Sequence, residues 1–120
     1  MKIAITTMGD NLNAPVDARF GRAQKFIVYD LDSNSFEVVD NQQNLNAVQG
    51  AGIQSAEAVA KTGARAVLTG HCGPKAFRAL SAAGIKIYNI SGVTVSEAIE
   101  KFRSGQIAEA VSADVEGHWS

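Results

Sequence analysis

The chain of 120 residues has a single cysteine, no long apolar run and no excess of either charge. One cysteine excludes an internal disulfide and suits a reducing compartment, where a thiol persists. A membrane-crossing helix needs about 20 successive apolar residues, and no stretch here approaches that. The opening "MKIAITTMGD" carries a lysine, but its apolar run is too short for a signal-peptide core. The chain is therefore expected to be soluble and cytoplasmic. A net charge of -1 offers no general attraction to a polyanion, so neither nucleic acid nor a membrane is an expected partner. A charged ligand would have to be recognised at a site.

What is present suits a single domain. Hydrophobic residues make up 46%, enough for a globular core, and 120 residues are too few for two ordinary domains. Residues 1–120 are expected to form one domain without linker or repeat, with 113–120 as a tail that includes His118 and Trp119. "KIAITTM" (2–8) reads as a first strand, followed by an aperiodic polar loop, "GDNLNAPVDARFGRA" (9–23), of a length that is often functional or mobile. "KFIVYDL" (25–31) and "SFEVVD" (35–40) form a hairpin around "DSN", and "NQQNLNAVQG" (41–50) is a second polar loop.

The pattern then alternates. "GIQSAEAVAKTG" (52–63) predicts a helix burying Ile53, Ala56, Val59 and Ala60, stopped at Gly63. "RAVLTG" (65–70) is a buried strand, and "GPKAFRALSAAG" (73–84) a helix with Pro74 just inside its start and Gly84 past its end. "IKIYNI" (85–90) is the last strand. In "TVSEAIEKFRSG" (94–105), Thr94 and Glu97 make a capping box, and Val95, Ala98, Ile99 and Phe102 form the apolar stripe.

The order β-β-β-α-β-α-β-α with right-handed crossovers predicts a three-layer α/β domain. Its mixed five-stranded sheet has order 3-2-1-4-5 with only strand 2 antiparallel, the ribonuclease-H-like arrangement. Ligands of open sheets favour the carboxyl ends of parallel strands. That edge should carry loop 9–23, "GHCGP" and "NISGV".

Nuclease chemistry on this fold would need a carboxylate within the first strand. "KIAITTM" has none; Asp10 follows the strand, and Asp17, Asp30, Asp32 and Asp40 read as turn or surface residues. No G-x-S-x-G elbow, P-loop or zinc spacing occurs. "QGAGIQS" (49–55) has Gly50 and Gly52 but Ser55 where a dinucleotide fingerprint needs a third glycine. Its glycines serve either an anion or close packing.

"GHCGPKA" (70–76) is the densest chemistry in the chain. A helix start at Gly73-Pro74 presents backbone N–H groups, and Lys75 adds a positive charge, a combination that attracts anions. A cysteine just before such a start has its thiolate favoured, which would make Cys72 a metal ligand or nucleophile. The bland alternative makes Cys72 a small buried hydrophobe and His71 a loop residue with one hydrogen bond. Neighbouring side chains diverge, so using both as ligands would demand a special loop geometry.

Four segments, "VDARFGRAQKFIVYD" (16–30), "NLNAVQGAGIQSAEAVAKTGARAVLTG" (44–70), "GPKAFRALSAAGIKIY" (73–88) and "TVSEAIEKFRSG" (94–105), closely resemble the dinitrogenase iron-molybdenum cofactor biosynthesis family, in order and over nearly the whole chain. The resemblance implies a non-enzymatic ribonuclease-H-like domain that binds, carries or inserts metal-sulfur clusters, like the nitrogenase accessory factors. The implied cargo is an anionic molybdenum- or iron-containing sulfide, either a Mo-Cu sulfide or a precursor of the iron-molybdenum cofactor. Cluster donor and acceptor proteins are the implied partners, and the expected state is a monomer or weak dimer.

The family's hallmarks fall on Arg19, Phe20, Gly21 and Arg22, on Gly50 and Gly52, and on Gly70 with Gly73 and Pro74. His71 and Lys75 complete the expected binding set, with Cys72 as the candidate metal ligand. Lys75 stands where asparagine is common, and His71-Cys72 resembles a variable insert. Two rival functions are a regulatory or partner-binding module with a vestigial pocket, and a small enzyme using Cys72 as its thiol.

Overall fold

Alternation along the central strands sets the layers. On strand β1 (Lys2–Thr7), Ile3 and Ile5 face one side of the sheet and Ala4 the other; on β2 (Lys25–Asp30), Ile27 and Tyr29 oppose Phe26. The structure is a computed structural model that describes residues 1–41 and 50–111. The predicted loop 41–50 therefore lies almost wholly outside the described residues, as does the tail 113–120.

The remaining elements are β3 (Ser35–Asp40), α1 (Ala51–Lys61), β4 (Ala64–Thr69), α2 (Pro74–Ala82), β5 (Lys86–Asn89) and α3 (Val95–Arg103). The sheet order is β3-β2-β1-β4-β5. Pairings β1·β2 and β2·β3 are antiparallel, β1·β4 and β4·β5 parallel, so β2 alone runs against the rest, as the sequence predicts. Helices α1 and α2 cover one face over Ala4, Phe26, Val67 and Ile87, and α3 covers the other over Ile3, Ile5, Ile27 and Leu68. No helix among the described residues is long and apolar enough to cross a membrane.

Local signals behave as read. Gly63, Gly84 and Gly105 have φ of 84°, 77° and 72°, the left-handed conformation that closes a helix without a Cβ clash. Pro74 is in the first turn of α2. In α3 the Thr94 hydroxyl accepts from the Glu97 amide, and the Glu97 carboxylate accepts from the Thr94 amide.

The buried face of α1 differs from the periodicity reading. Gly52, Ser55, Ala56 and Val59 point inward, while Ile53 is 37% exposed and Ala60 is also on the surface. Two contacts turn the helix this way. Gly52 lies against α2, where a Cβ would come within 3.1 Å of the Ala76 Cβ. Ser55 joins a buried polar pair, with Asn41 Nδ2 donating to Ser55 Oγ at 3.0 Å and to the Ala23 carbonyl at 2.8 Å. A small-residue, polar face is buried because another helix has to approach closely.

Candidate functional site at the carboxyl edge of the sheet

Two fully buried threonines end β1 and two segments cross above them. The Asp17 amide donates to the Thr6 carbonyl at 2.7 Å, and the Gly70 amide donates to the Asp17 carbonyl at 3.3 Å. Arg19 and His71 then pair as an isolated parallel bridge, and the Phe20 amide donates to the His71 carbonyl at 3.0 Å. Loop 9–23 is thus laid along the turn after β4. Only glycine fits at position 70, because a Cβ there would lie 2.6 Å from the Ala18 carbonyl oxygen and 2.7 Å from its Cα.

The same loop reaches the start of α1. A Cβ on Gly21 would stand 3.2 Å from the Cα of Gly52, and Gly52 in turn abuts Ala76 in the first turn of α2. Gly21, Gly52 and Ala76 therefore stack as small residues that bring one loop and two helix starts together. Gly50 caps α1 with a φ of 76°, and Gly73 caps α2 in an extended conformation. Neither helix has a side-chain cap or an acidic residue in its first turn, unlike α3 with its capping box and Glu97. Carboxylates are commonly used to offset the positive end of a helix, and both starts at this edge omit them.

The structure sorts the predicted residues into two groups. Arg19, Arg22, His71 and Lys75 are exposed, with Gly21, Gly50 and Pro74 half-buried beside them. Gly52, Gly70 and Gly73 are buried and set the close approach of backbone. Phe20 is 1% exposed and stacks on Phe26 with ring centroids 5.7 Å apart, so its side chain anchors the loop in the core. Cys72 is 2% exposed and belongs to the same apolar cluster as Phe20, Ala76 and Leu80. Among the described residues no group of three or more His, Cys, Asp or Glu side chains is arranged to hold a metal ion. A broad groove of about 780 Å³ lies between β3 and α1, and among the described residues that line it Gly50 alone belongs to this edge.

Sequence reasoning missed the supports beneath the edge. Thr6, Thr7 and Thr69 are fully buried, and each hydroxyl is hydrogen-bonded: Thr7 Oγ1 donates to the Pro15 carbonyl at 3.0 Å, and Thr6 Oγ1 donates to that of Asp17 at 3.0 Å. Asn89 Nδ2 donates to the Gly70 carbonyl at 3.2 Å. A threonine ending a strand is ordinary β-former usage, so nothing in the pattern set these apart.

Fold and edge together define a small ribonuclease-H-like α/β domain with the loops of its carboxyl edge drawn to one point. The chain belongs to the dinitrogenase iron-molybdenum cofactor family, whose model matches residues 1–105. The apo orange protein from Desulfovibrio gigas is 44% identical with a TM-score of 0.93, over 95% of this chain and 96% of its own. A Thermotoga protein of the DUF35 family, solved by NMR, is 34% identical with a TM-score of 0.81, covering 95% of this chain and 98% of its own. A Methanocaldococcus jannaschii protein is 28% identical over 110 residues, 89% of each chain.

Proposed function

We propose that the protein is a non-enzymatic carrier in cofactor assembly. It holds an anionic metal-sulfur cluster or its precursor, a Mo/Fe or Mo/Cu sulfide, where residues 19–22, 50–52 and 70–75 meet. The observation that carries this reading is the convergence of two helix starts without side-chain caps or first-turn acids, beside exposed Arg19, Arg22 and Lys75. Backbone N–H groups and guanidinium donors suit sulfide and oxo anions, and they attract charge without bonding the metal. Membership of a family named for the iron-molybdenum cofactor supports the ligand class.

The donor set fits a cargo that arrives with its own sulfide ligands. No group of three or more His, Cys, Asp or Glu side chains is gathered to hold a bare metal ion among the described residues. Cys72 is 2% exposed in the apolar cluster that holds Phe20 and Ala76, so direct ligation by its thiolate would require the turn to open. We therefore favour binding through amides and charge, with thiolate ligation as the competing outcome. Donor and acceptor proteins would deliver and collect the cluster, and the single cysteine suits the cytoplasm.

Anaerobic titration of the purified protein with tetrathiomolybdate, with and without copper, tests the reading. A bound spectrum shifted from that of free ligand is expected. A spectrum unchanged at saturating protein would sink it.

A further inference from the structure

We infer that the buried hydroxyls of Thr6 and Thr69 are positioning residues for this site, a role that rests on the carrier reading above. The Thr6 hydroxyl proton is directed between two acceptors, Thr69 Oγ1 at 2.8 Å and the Asp17 carbonyl at 3.0 Å. Both threonines are 0% exposed. The Asp17 peptide is therefore held at both ends by Thr6, since its amide also donates to the Thr6 carbonyl, and its carbonyl receives the Gly70 amide as well. That peptide is the point where the arm bearing Arg19 and Arg22 meets the arm bearing His71 and Lys75.

Apart from Thr7, whose hydroxyl donates to the Pro15 carbonyl of the same loop, the other inward positions of β1 and β4 are apolar: Ile3, Ala4, Ile5, Ala66, Val67 and Leu68 among them. Valine has the same shape as threonine and would fill sites 6 and 69 without burying a hydroxyl, which is unfavourable unless it is hydrogen-bonded. Two hydroxyls at the carboxyl ends of adjacent parallel strands, bonded to each other and to the crossing loop, have a directional task. They set the spacing of the two arms, and hence where the charges stand relative to the helix starts.

The test compares Thr6→Val, Thr69→Val and Thr6→Ser with wild type by amide hydrogen exchange of the apo-protein and by tetrathiomolybdate titration. In Thr6→Val, exchange at Gly70 and Phe20 is expected to accelerate about tenfold, with tetrathiomolybdate affinity falling by a similar factor, the scale of one net hydrogen bond. Amides of Val67 and Leu80 should keep their protection. Thr69→Val, which removes the second acceptor and leaves the Thr6 hydroxyl to Asp17, should do less, and Thr6→Ser should restore wild-type behaviour. Unchanged exchange at Gly70 and Phe20 would overturn the assignment, and so would equal acceleration throughout the core. Failure of wild type to bind tetrathiomolybdate would remove the carrier reading alone, because the exchange pattern reports the clamp without ligand.

Discussion

The amide of Phe20 donates to the carbonyl of His71 at 3.0 Å, and this bond joins the loop after β1 to the turn after β4. Arg19 and Arg22 stand on one side of it, Cys72 and Lys75 on the other, so any ligand that bridges the two segments depends on their fixed separation. The glycines matter for the same reason: they let backbone reach backbone.

Gly70→Ala should displace the loop, because the new methyl would meet Ala18 backbone atoms at 2.6 and 2.7 Å. Overpacking of this kind costs about 1–3 kcal/mol. Urea denaturation and exchange at residues 17–20 would register it. Wild-type stability in the variant would mean that loop and turn are not in contact.

Cys72→Ser and Lys75→Glu separate the two modes of binding. If amides and charge hold the cargo, the absorption band survives Cys72→Ser, while Lys75→Glu weakens affinity roughly threefold to tenfold and added salt weakens the wild type. His71→Ala should have a smaller effect than Lys75→Glu. Loss of all absorption in a Cys72→Ser protein with native circular dichroism would instead make the thiolate a ligand.

Loop 9–18 reads from sequence as mobile without ligand, and its contacts now divide it. The Val16 amide donates to the Val93 carbonyl at 3.0 Å, and the Ala14 and Leu12 carbonyls accept from Val95 and Ser96, each at 2.8 Å. Hydrogen exchange should therefore be slow at Val16 and Asp17 even in the apo-protein, leaving fast exchange to exposed Asp10 and Asn11. Rapid exchange over the whole segment would contradict this, and ligand-induced protection would then mark it as a lid.

Asn41→Ala removes a fully buried amide that donates to Ala23 and Ser55. A cost of about 1–3 kcal/mol is expected, mostly from leaving the Ala23 carbonyl and Ser55 without that donor. Ser55→Ala should cost less, since Asn41 keeps its bond to Ala23. Chemical denaturation of both variants and the double mutant gives the coupling, and strict additivity would argue against a shared network.

Acid should loosen the start of α3. The Thr94 backbone amide, and then the Thr94 side chain, hold the Glu97 carboxyl below its ordinary value. A group with a lowered folded pKa stabilises the protein above its unfolded value, and that contribution disappears as pH falls through the folded one. Glu97→Gln should therefore flatten the acid limb of stability below about pH 4.5. Urea midpoints at pH 7, 4 and 3 provide the comparison, and parallel curves for variant and wild type would refute the claim.

Short-range features were legible in the sequence because they are encoded within a few residues. The capping box at Thr94 and Glu97, Pro74 at a helix start, and left-handed Gly63, Gly84 and Gly105 at helix ends all involve neighbours along the chain. Strand order followed from the same information, since two hairpin strands and successive right-handed crossovers leave few topologies. Strand order also placed loop 9–23 and the turn after β4 at one edge. Residues 50–52 were joined to them in the sequence reading only by the family resemblance, and the contacts of Gly52 with Gly21 and Ala76 bring them there.

Tertiary structure decided which atoms stand exposed at the carboxyl edge and which face the core. Periodicity favours Ile53 and Ala60 as buried, but close packing on Ala76 and the polar pair of Ser55 with Asn41 turn α1 onto its small-residue face. Phe20 and Cys72, both candidates for binding by motif, are drawn inward because the loop and the turn close over an apolar cluster. The clamp at Thr6, Asp17 and Thr69 was equally hidden, since a threonine ending a strand looks the same whether its hydroxyl holds a loop or meets water. Those outcomes depend on contacts between residues far apart in the chain, and no local pattern specifies which distant backbone will come within hydrogen-bonding reach.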